Sequence, residues 1–186
     1  YNYFVFNLIK KKTLDIIYLI FLQKKEMDLI HKFTPEIEKI LNQNPFDLKG
    51  SLNEICEFLR SNIFHFDWVG FYFNNNKKSR LELKSFSGAP TEHKKIPFGK
   101  GVCGQVAVSN KKLIVPNVEL EKNYLSCNIS VKSEIVIPIL LNEENIGQID
   151  VDSNSVNPFT ENDIKLLEHV CDKIALKIKT LKYGLD

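Results

Sequence analysis

Alternation along Ile146-Gly147-Gln148-Ile149-Asp150-Val151-Asp152 puts Gln148, Asp150 and Asp152 on one face of a strand and Ile149 and Val151 on the other. Carboxyls at i and i+2 stand ~7 Å apart. Glu134 begins the preceding strand-like run, within reach of the same face. Like charges gathered in a pocket raise at least one pKa, which leaves a protonated carboxyl able to donate a hydrogen bond at neutral pH. The same acids also suit a cation, either a metal or a substrate ammonium. The ordinary alternative is a solvated sheet face, although aspartate is depleted in strands.

Four cysteines accompany them, Cys56, Cys103, Cys127 and Cys171, with no C-x-x-C pair and no zinc-site spacing. Cys56 and Cys171 fall on or beside apolar helical stripes and read as core. Cys103 lies in Gly99-Lys100-Gly101-Val102-Cys103-Gly104. A helix starting near Val102 would turn its thiol toward free backbone N–H groups and the positive helix end, which favour thiolate. The same glycines match G-x-G-x-x-G, but a dinucleotide site needs a preceding strand in a parallel sheet. Here Lys94-Lys95-Ile96-Pro97-Phe98 precedes, and its proline argues against an internal strand. Cys127 sits in the polar stretch Asn123–Glu134 and is expected to be accessible. Trp68, Gly70 and Tyr72 share one face of another strand, where Gly70 leaves a gap between two rings.

Positioning these residues requires the following elements. Met27–Leu41 has helical apolar spacing, and Thr34-Pro35-Glu36 inside it suits a helix start. A second helix carries Leu52, Ile55, Leu59 and Ile63, with Ser51-x-x-Glu54 as a capping box. Two hairpins are predicted, Trp68–Phe73 with Leu81–Phe86 and Glu134–Leu141 with Asn145–Asp152. Val102–Val108 is helical between them, and short strands or loops cover Leu113–Pro116 and Asn123–Cys127. A long helix capped by Thr160 and Asp163 closes the chain. Hairpin-length links between strands predict an α+β fold, an antiparallel β-sheet with helices packed mainly on one face, and not a parallel sheet.

The 186 residues suffice for one core, and 44% hydrophobic with 26% charged residues is a soluble globular composition. A net charge of +2, with scattered lysines, argues against nucleic acid and an acidic membrane as partners. The few cysteines point to a reducing compartment, taken as cytoplasmic. The apolar run Leu14–Leu22 is about half a bilayer span. With Met27 the sole methionine, residues 1–26 read as a non-native upstream extension or disordered segment.

Taken together, Asp67–Tyr72 (DWVGFY), Ile96–Gly104 (IPFGKGVCG), the spacing from Cys127 to Ser133-Glu134-Ile135-Val136, Ile146–Ser153 (IGQIDVDS) and Phe159–Asp163 (FTEND) resemble the free methionine-(R)-sulfoxide reductases, which are stand-alone GAF domains. The resemblance spans about residues 30–178, and residues 27–186 are accordingly read as a single GAF domain. It implies that Cys127 attacks the sulfoxide sulfur and becomes a sulfenic acid. Cys103 then condenses with it to a disulfide that thioredoxin reduces. Glu134, Asp150 and Asp152 match the family's substrate acids, and Trp68 and Tyr72 its pocket aromatics. A raised-pKa carboxyl suits protonation of the sulfoxide oxygen, and the substrate's amino group suits an acidic pocket. No metal and no bound cofactor are implied, and the long terminal helices leave room for a homodimer. Many members carry a third cysteine where this chain has His93, so the cycle is expected to run on two thiols, with His93 an exposed loop residue.

The competing class is a non-catalytic GAF sensor that binds a small ligand. The cyclic-nucleotide signature of such modules is missing, and two placed thiols favour the enzyme.

Overall fold

The computed structural model describes residues 30–125 and 129–183. Helix α1 (residues 30–41) and α2 (Leu48–Asn62) lead into β1 (Trp68–Asn75), β2 (Arg80–Ser87) and β3 (Lys95–Pro97). Then come α3 (Gly101–Ser109), β4 (Leu113–Val115), β5 (Ser133–Leu141), β6 (Glu144–Ser153) and α4 (Glu161–Tyr183). The six strands form one sheet in the order β3-β2-β1-β6-β5-β4, with every neighbouring pair antiparallel. This is the expected α+β arrangement. The predicted extension at residues 1–26 lies outside the described residues. Among those described, no helix is long and apolar enough to cross a membrane.

Local chemistry explains the hairpins. Asn142 and Glu143 at the β5–β6 turn both have positive φ, 51° and 67°, the sense that matches strand twist in a two-residue turn. Between β1 and β2, the Asn75 side chain accepts from the Lys78 N–H at 3.2 Å and closes a short 3-10 turn.

The period-2 alternation gives the sheet two apolar faces. Val69 and Phe71 of β1, Ile135, Ile137 and Ile139 of β5, and Ile149 and Val151 of β6 pack against α1, α2 and α4 in the larger core. Cys56 and Cys171 are buried there, and burial pushes both thiols up. The opposite face carries a smaller core of Trp68, Tyr72, Leu81, Ile96 and Val136 beneath α3. Helix α3 therefore links β3 at one sheet edge to β4 at the other, crossing the second face between them.

Three helix-start expectations meet different outcomes. The reciprocal cap holds at α4, where Thr160 N–H donates to Asp163 at 2.7 Å and Asp163 N–H to Thr160 Oγ1 at 3.3 Å. Ser51 does not cap α2. Asp47 does so one turn earlier, accepting from Lys49 N–H and Gly50 N–H, while Ser51 is buried and its hydroxyl donates to the Ile40 carbonyl. Nor does α1 begin at Pro35, because residues 30–34 are already helical. Burial of Phe33, Ile37, Ile40 and Leu41 against the core outweighs the hydrogen bond Pro35 cannot make. Thr34 instead meets His169 of α4, Oγ1 to Nε2 at 3.0 Å.

Candidate active site

Strand register assembles the polar face row by row. Trp68 of β1 lies opposite Asp152 of β6, which lies opposite Glu134 of β5. The next row is Gly70, Asp150 and Val136, and the third is Tyr72, Gln148 and Pro138. Three carboxyls are thereby set in adjacent rows of the central strands. All are deeply buried, with Glu134 3%, Asp150 1% and Asp152 2% exposed.

Helix α3 brings the thiol to them. The chain enters α3 through Gly101 at φ +64°, where a β-carbon would stand 2.8 Å from Leu125 Cβ. Cys103 falls in the first turn, as expected, and is buried. Its Sγ and carboxylate oxygens of Glu134 and Asp150 all lie within 4.8 Å of one another. Glu134 and Asp150 hydrogen-bond to each other, and each also meets the Cys103 thiol.

This packing dictates the electrostatics. Burial, then the charges of Asp150 and Asp152, raise the Glu134 carboxyl well above its usual range. Burial raises Asp152 likewise, helped by Asp150 and Asp67. Burial pushes Asp150 up to about 7, against opposing hydrogen bonds from Cys103 and Glu134. Three carboxyls this close cannot all ionise, so the cluster holds a proton at neutral pH and titrates as a unit. One oxygen each of Asp150 and Asp152 has no hydrogen-bond partner among the described residues. Such buried orphans are costly unless a proton or a ligand satisfies them.

Two clefts reach the cluster. One, narrow, is lined by Lys100, Gly101, Cys103, Leu125, Glu134 and Asp150. Another is lined by Asp67, Trp68, Pro90, Thr91 and Asp152 among others. Trp68 walls the second cleft, its Nε1 donating to the Ala89 carbonyl at 3.1 Å and its ring stacked on Phe86. The gap expected over Gly70 is filled by Trp68 itself: a β-carbon on Gly70 would fall 2.1 Å from the indole Cη2. Tyr72 lies behind, fully buried, with its hydroxyl donating to the His93 carbonyl at 2.9 Å. His93 is half-buried rather than exposed, because its backbone is taken up by Tyr72 and Thr91.

Cys127 lies outside the described residues. Its approach is described, however. Asn123 donates to the Gly99 carbonyl at 2.9 Å and accepts from Gly101 N–H at 3.3 Å, and Leu125 packs on Gly101. The chain leading to Cys127 is thus fastened to the first turn of α3.

Sequence reasoning missed three contributors. Asp67 accepts from Asn154 N–H at 2.7 Å and holds the end of β6 beside the acids. Asn123 clamps the glycine loop. Gln148, fully buried, donates from Nε2 to the Cys103 carbonyl at 3.2 Å. For Gln148 a signal existed, since it shares the face of Asp150 two residues away.

Against known proteins, the GAF domain family model matches residues 47–179. The chain is 36% identical over 140 residues to GAF domain-containing protein A of Dictyostelium discoideum, covering 73% of this chain and 87% of that one. It is 32% identical over 137 residues to the free methionine-R-sulfoxide reductase of Saccharomyces cerevisiae, covering 67% and 76%. In structure it is similar to the free methionine-R-sulfoxide reductase of Neisseria meningitidis in complex with its substrate, with TM-score 0.77 and 27% identity over 83% of this chain and 91% of that one.

Proposed function

The chain belongs to the GAF domain family, among its free methionine-(R)-sulfoxide reductases, and from that premise we propose that it reduces free L-methionine-(R)-sulfoxide to methionine. The observation that carries this reading is the buried cluster of Cys103, Glu134 and Asp150, with Asp152 in the adjoining row. The substrate ammonium pairs with ionised members of the cluster, and a protonated carboxyl donates to the sulfoxide oxygen.

The Cys127 thiolate attacks the sulfoxide sulfur. The protonated oxygen then passes to the Cys127 sulfur as the substrate S–O bond and the transient bond between the two sulfurs break, so methionine leaves with its sulfur reduced and Cys127 becomes a sulfenic acid. The Cys103 thiol then displaces that oxygen as water and forms a Cys103–Cys127 disulfide. A thioredoxin dithiol returns both cysteines to thiols, itself becoming a disulfide. The fastening of residues 123–125 to Gly101 supports this pairing, because it holds the chain two residues before Cys127 against the turn that carries Cys103.

The test is NADPH oxidation with free L-methionine-(R)-sulfoxide, thioredoxin and thioredoxin reductase. Turnover that is lost in Cys127→Ser supports the proposal. No oxidation above that variant sinks it and leaves a ligand-binding module. Turnover with dithiothreitol but not thioredoxin removes thioredoxin alone from the scheme.

A further inference from the structure

We propose that reduced Cys103, Glu134 and Asp150 form a binding site for a thiophilic divalent cation of the zinc class, which blocks the pocket until it is displaced. The three donor atoms are already gathered within 4.8 Å of one another and shielded from bulk water. A tetrahedral zinc ion with ~2.3 Å bonds to sulfur and ~2.0–2.2 Å bonds to oxygen places its ligands roughly 3.5 Å apart. Contraction by about 1 Å, within the reach of side-chain rotation, therefore closes the site.

A separate observation points the same way. Asp150 lines the cleft, is 1% exposed, and its Oδ1 has no hydrogen-bond partner among the described residues. A cation answers that unmet acceptor directly. The donor set also selects the ion. One sulfur and two carboxylates suit zinc or cadmium, whereas magnesium and calcium require six or more oxygens. Among the described residues these three supply the ligand atoms, and the cleft beside Lys100 and Leu125 borders the site.

Two consequences follow. Binding takes the proton from the Cys103 thiol, and any proton shared by the two carboxyls is released with it. A Cys103 disulfide has no thiolate to offer, so the site exists in the reduced protein alone. The inhibitory role rests on the proposed reductase activity, because metal and substrate then compete for Glu134 and Asp150. Metal binding itself does not depend on that activity.

The probe is cadmium or zinc added to the reduced full-length chain. Cadmium reports thiolate ligation through its sulfur-to-metal ultraviolet absorption. One ion per chain is expected, with the absorption lost in Cys103→Ser and zinc affinity down by roughly 100-fold. Cys171→Ser, which alters a thiol on the opposite sheet face, leaves both unchanged. Asp150→Asn keeps the absorption and lowers affinity at least ~10-fold, a second test should Cys103→Ser fail to fold. Absorption of undiminished affinity in Cys103→Ser, or unchanged affinity in Asp150→Asn, overturns the proposal. Should the chain prove inactive on methionine sulfoxide, the titration still stands, and the reductase assay is equally untouched if no metal binds.

Discussion

Replacing Gln148 with methionine separates the two cysteine steps. Gln148 Nε2 donates to the Cys103 carbonyl at 3.2 Å, tying the first turn of α3 to β6, while its Oε1 is buried without a partner among the described residues. Methionine keeps the length and removes both polar atoms. The lost bond costs about 1 kcal/mol, and deleting an unmet buried acceptor returns roughly 1–3 kcal/mol. Stability should change by no more than about 2 kcal/mol, equivalent to a Tm shift of ~8 °C or less for a chain of this size. Position is another matter. Besides the contact of the Asp150 carboxyl with the Cys103 thiol itself, β6 also reaches α3 through Asn145 Nδ2 to the Val106 carbonyl, at a long 3.5 Å, so the Cys103 carbonyl is held to β6 by Gln148. A displacement of about 1 Å at a reacting atom costs up to ~100-fold in rate. Mixing reduced protein with free L-methionine-(R)-sulfoxide, without reductant, resolves the steps. Methionine should form at the parental rate while the disulfide forms about 10–100-fold more slowly. Dimedone should then trap an accumulating Cys127 sulfenic acid. Disulfide formation at the parental rate, or equal slowing of both steps, refutes Gln148 as a positioning residue for Cys103.

Three further outcomes are expected. Because burial raises Asp150 from 3.8 to about 7, the folded state holds an extra proton between those values. Stability from this group is therefore fully present below pH ~4 and lost as pH rises through about 7. The urea midpoint of the parent minus that of Asp150→Asn should fall from pH 5 to pH 8, and a flat or rising difference contradicts the assignment. Gly104→Ala would place a β-carbon 2.7 Å from the Pro97 carbonyl and 3.0 Å from Gly99 N, backbone atoms with little room to yield. It should cost about 1–3 kcal/mol, and an unchanged thermal midpoint argues against the tight loop. Gly70→Ala must evict the Trp68 indole, and Trp68 is the chain's single tryptophan. Its emission should shift to the red, and emission identical to the parent places the indole elsewhere.

What the sequence revealed, and what it concealed, follows the range of the interactions. Both hairpins and the shared face of Gln148, Asp150 and Asp152 were legible, because period-2 alternation and turn residues act over a few positions. Ser51-x-x-Glu54 misled because Asp47, four residues earlier, offers an equally good cap, and burial of Leu52 and Ile55 fits either start. Pro35 misled in the same way, since packing of α1 on the core is decided by partners far along the chain. The Gly70 gap was invisible as a filled one, because it is closed by a side chain curling back from two residues before. The meeting of Cys103 with Glu134 and Asp150 depends on which face α3 crosses, and no local pattern encodes that.

That crossing has a consequence for how the protein handles change. The acids sit on β5 and β6 at the centre of the sheet, gripped by partners on both sides. By contrast, Cys103 and Cys127 ride on a single detour of chain, residues 98–132, which quits the sheet after one edge strand, spans it as α3, and touches down as β4 on the far edge before β5 begins. Under the proposed chemistry, every covalent alteration of the protein falls on the detour, and the three carboxyls lie on the platform below. The register that sets the carboxyls is held by the sheet in either redox state, but their acidity is tied to the detour: a Cys103 disulfide removes the thiol hydrogen bonds that oppose the rise of Glu134 and Asp150, so oxidation makes both acids hold their protons more tightly.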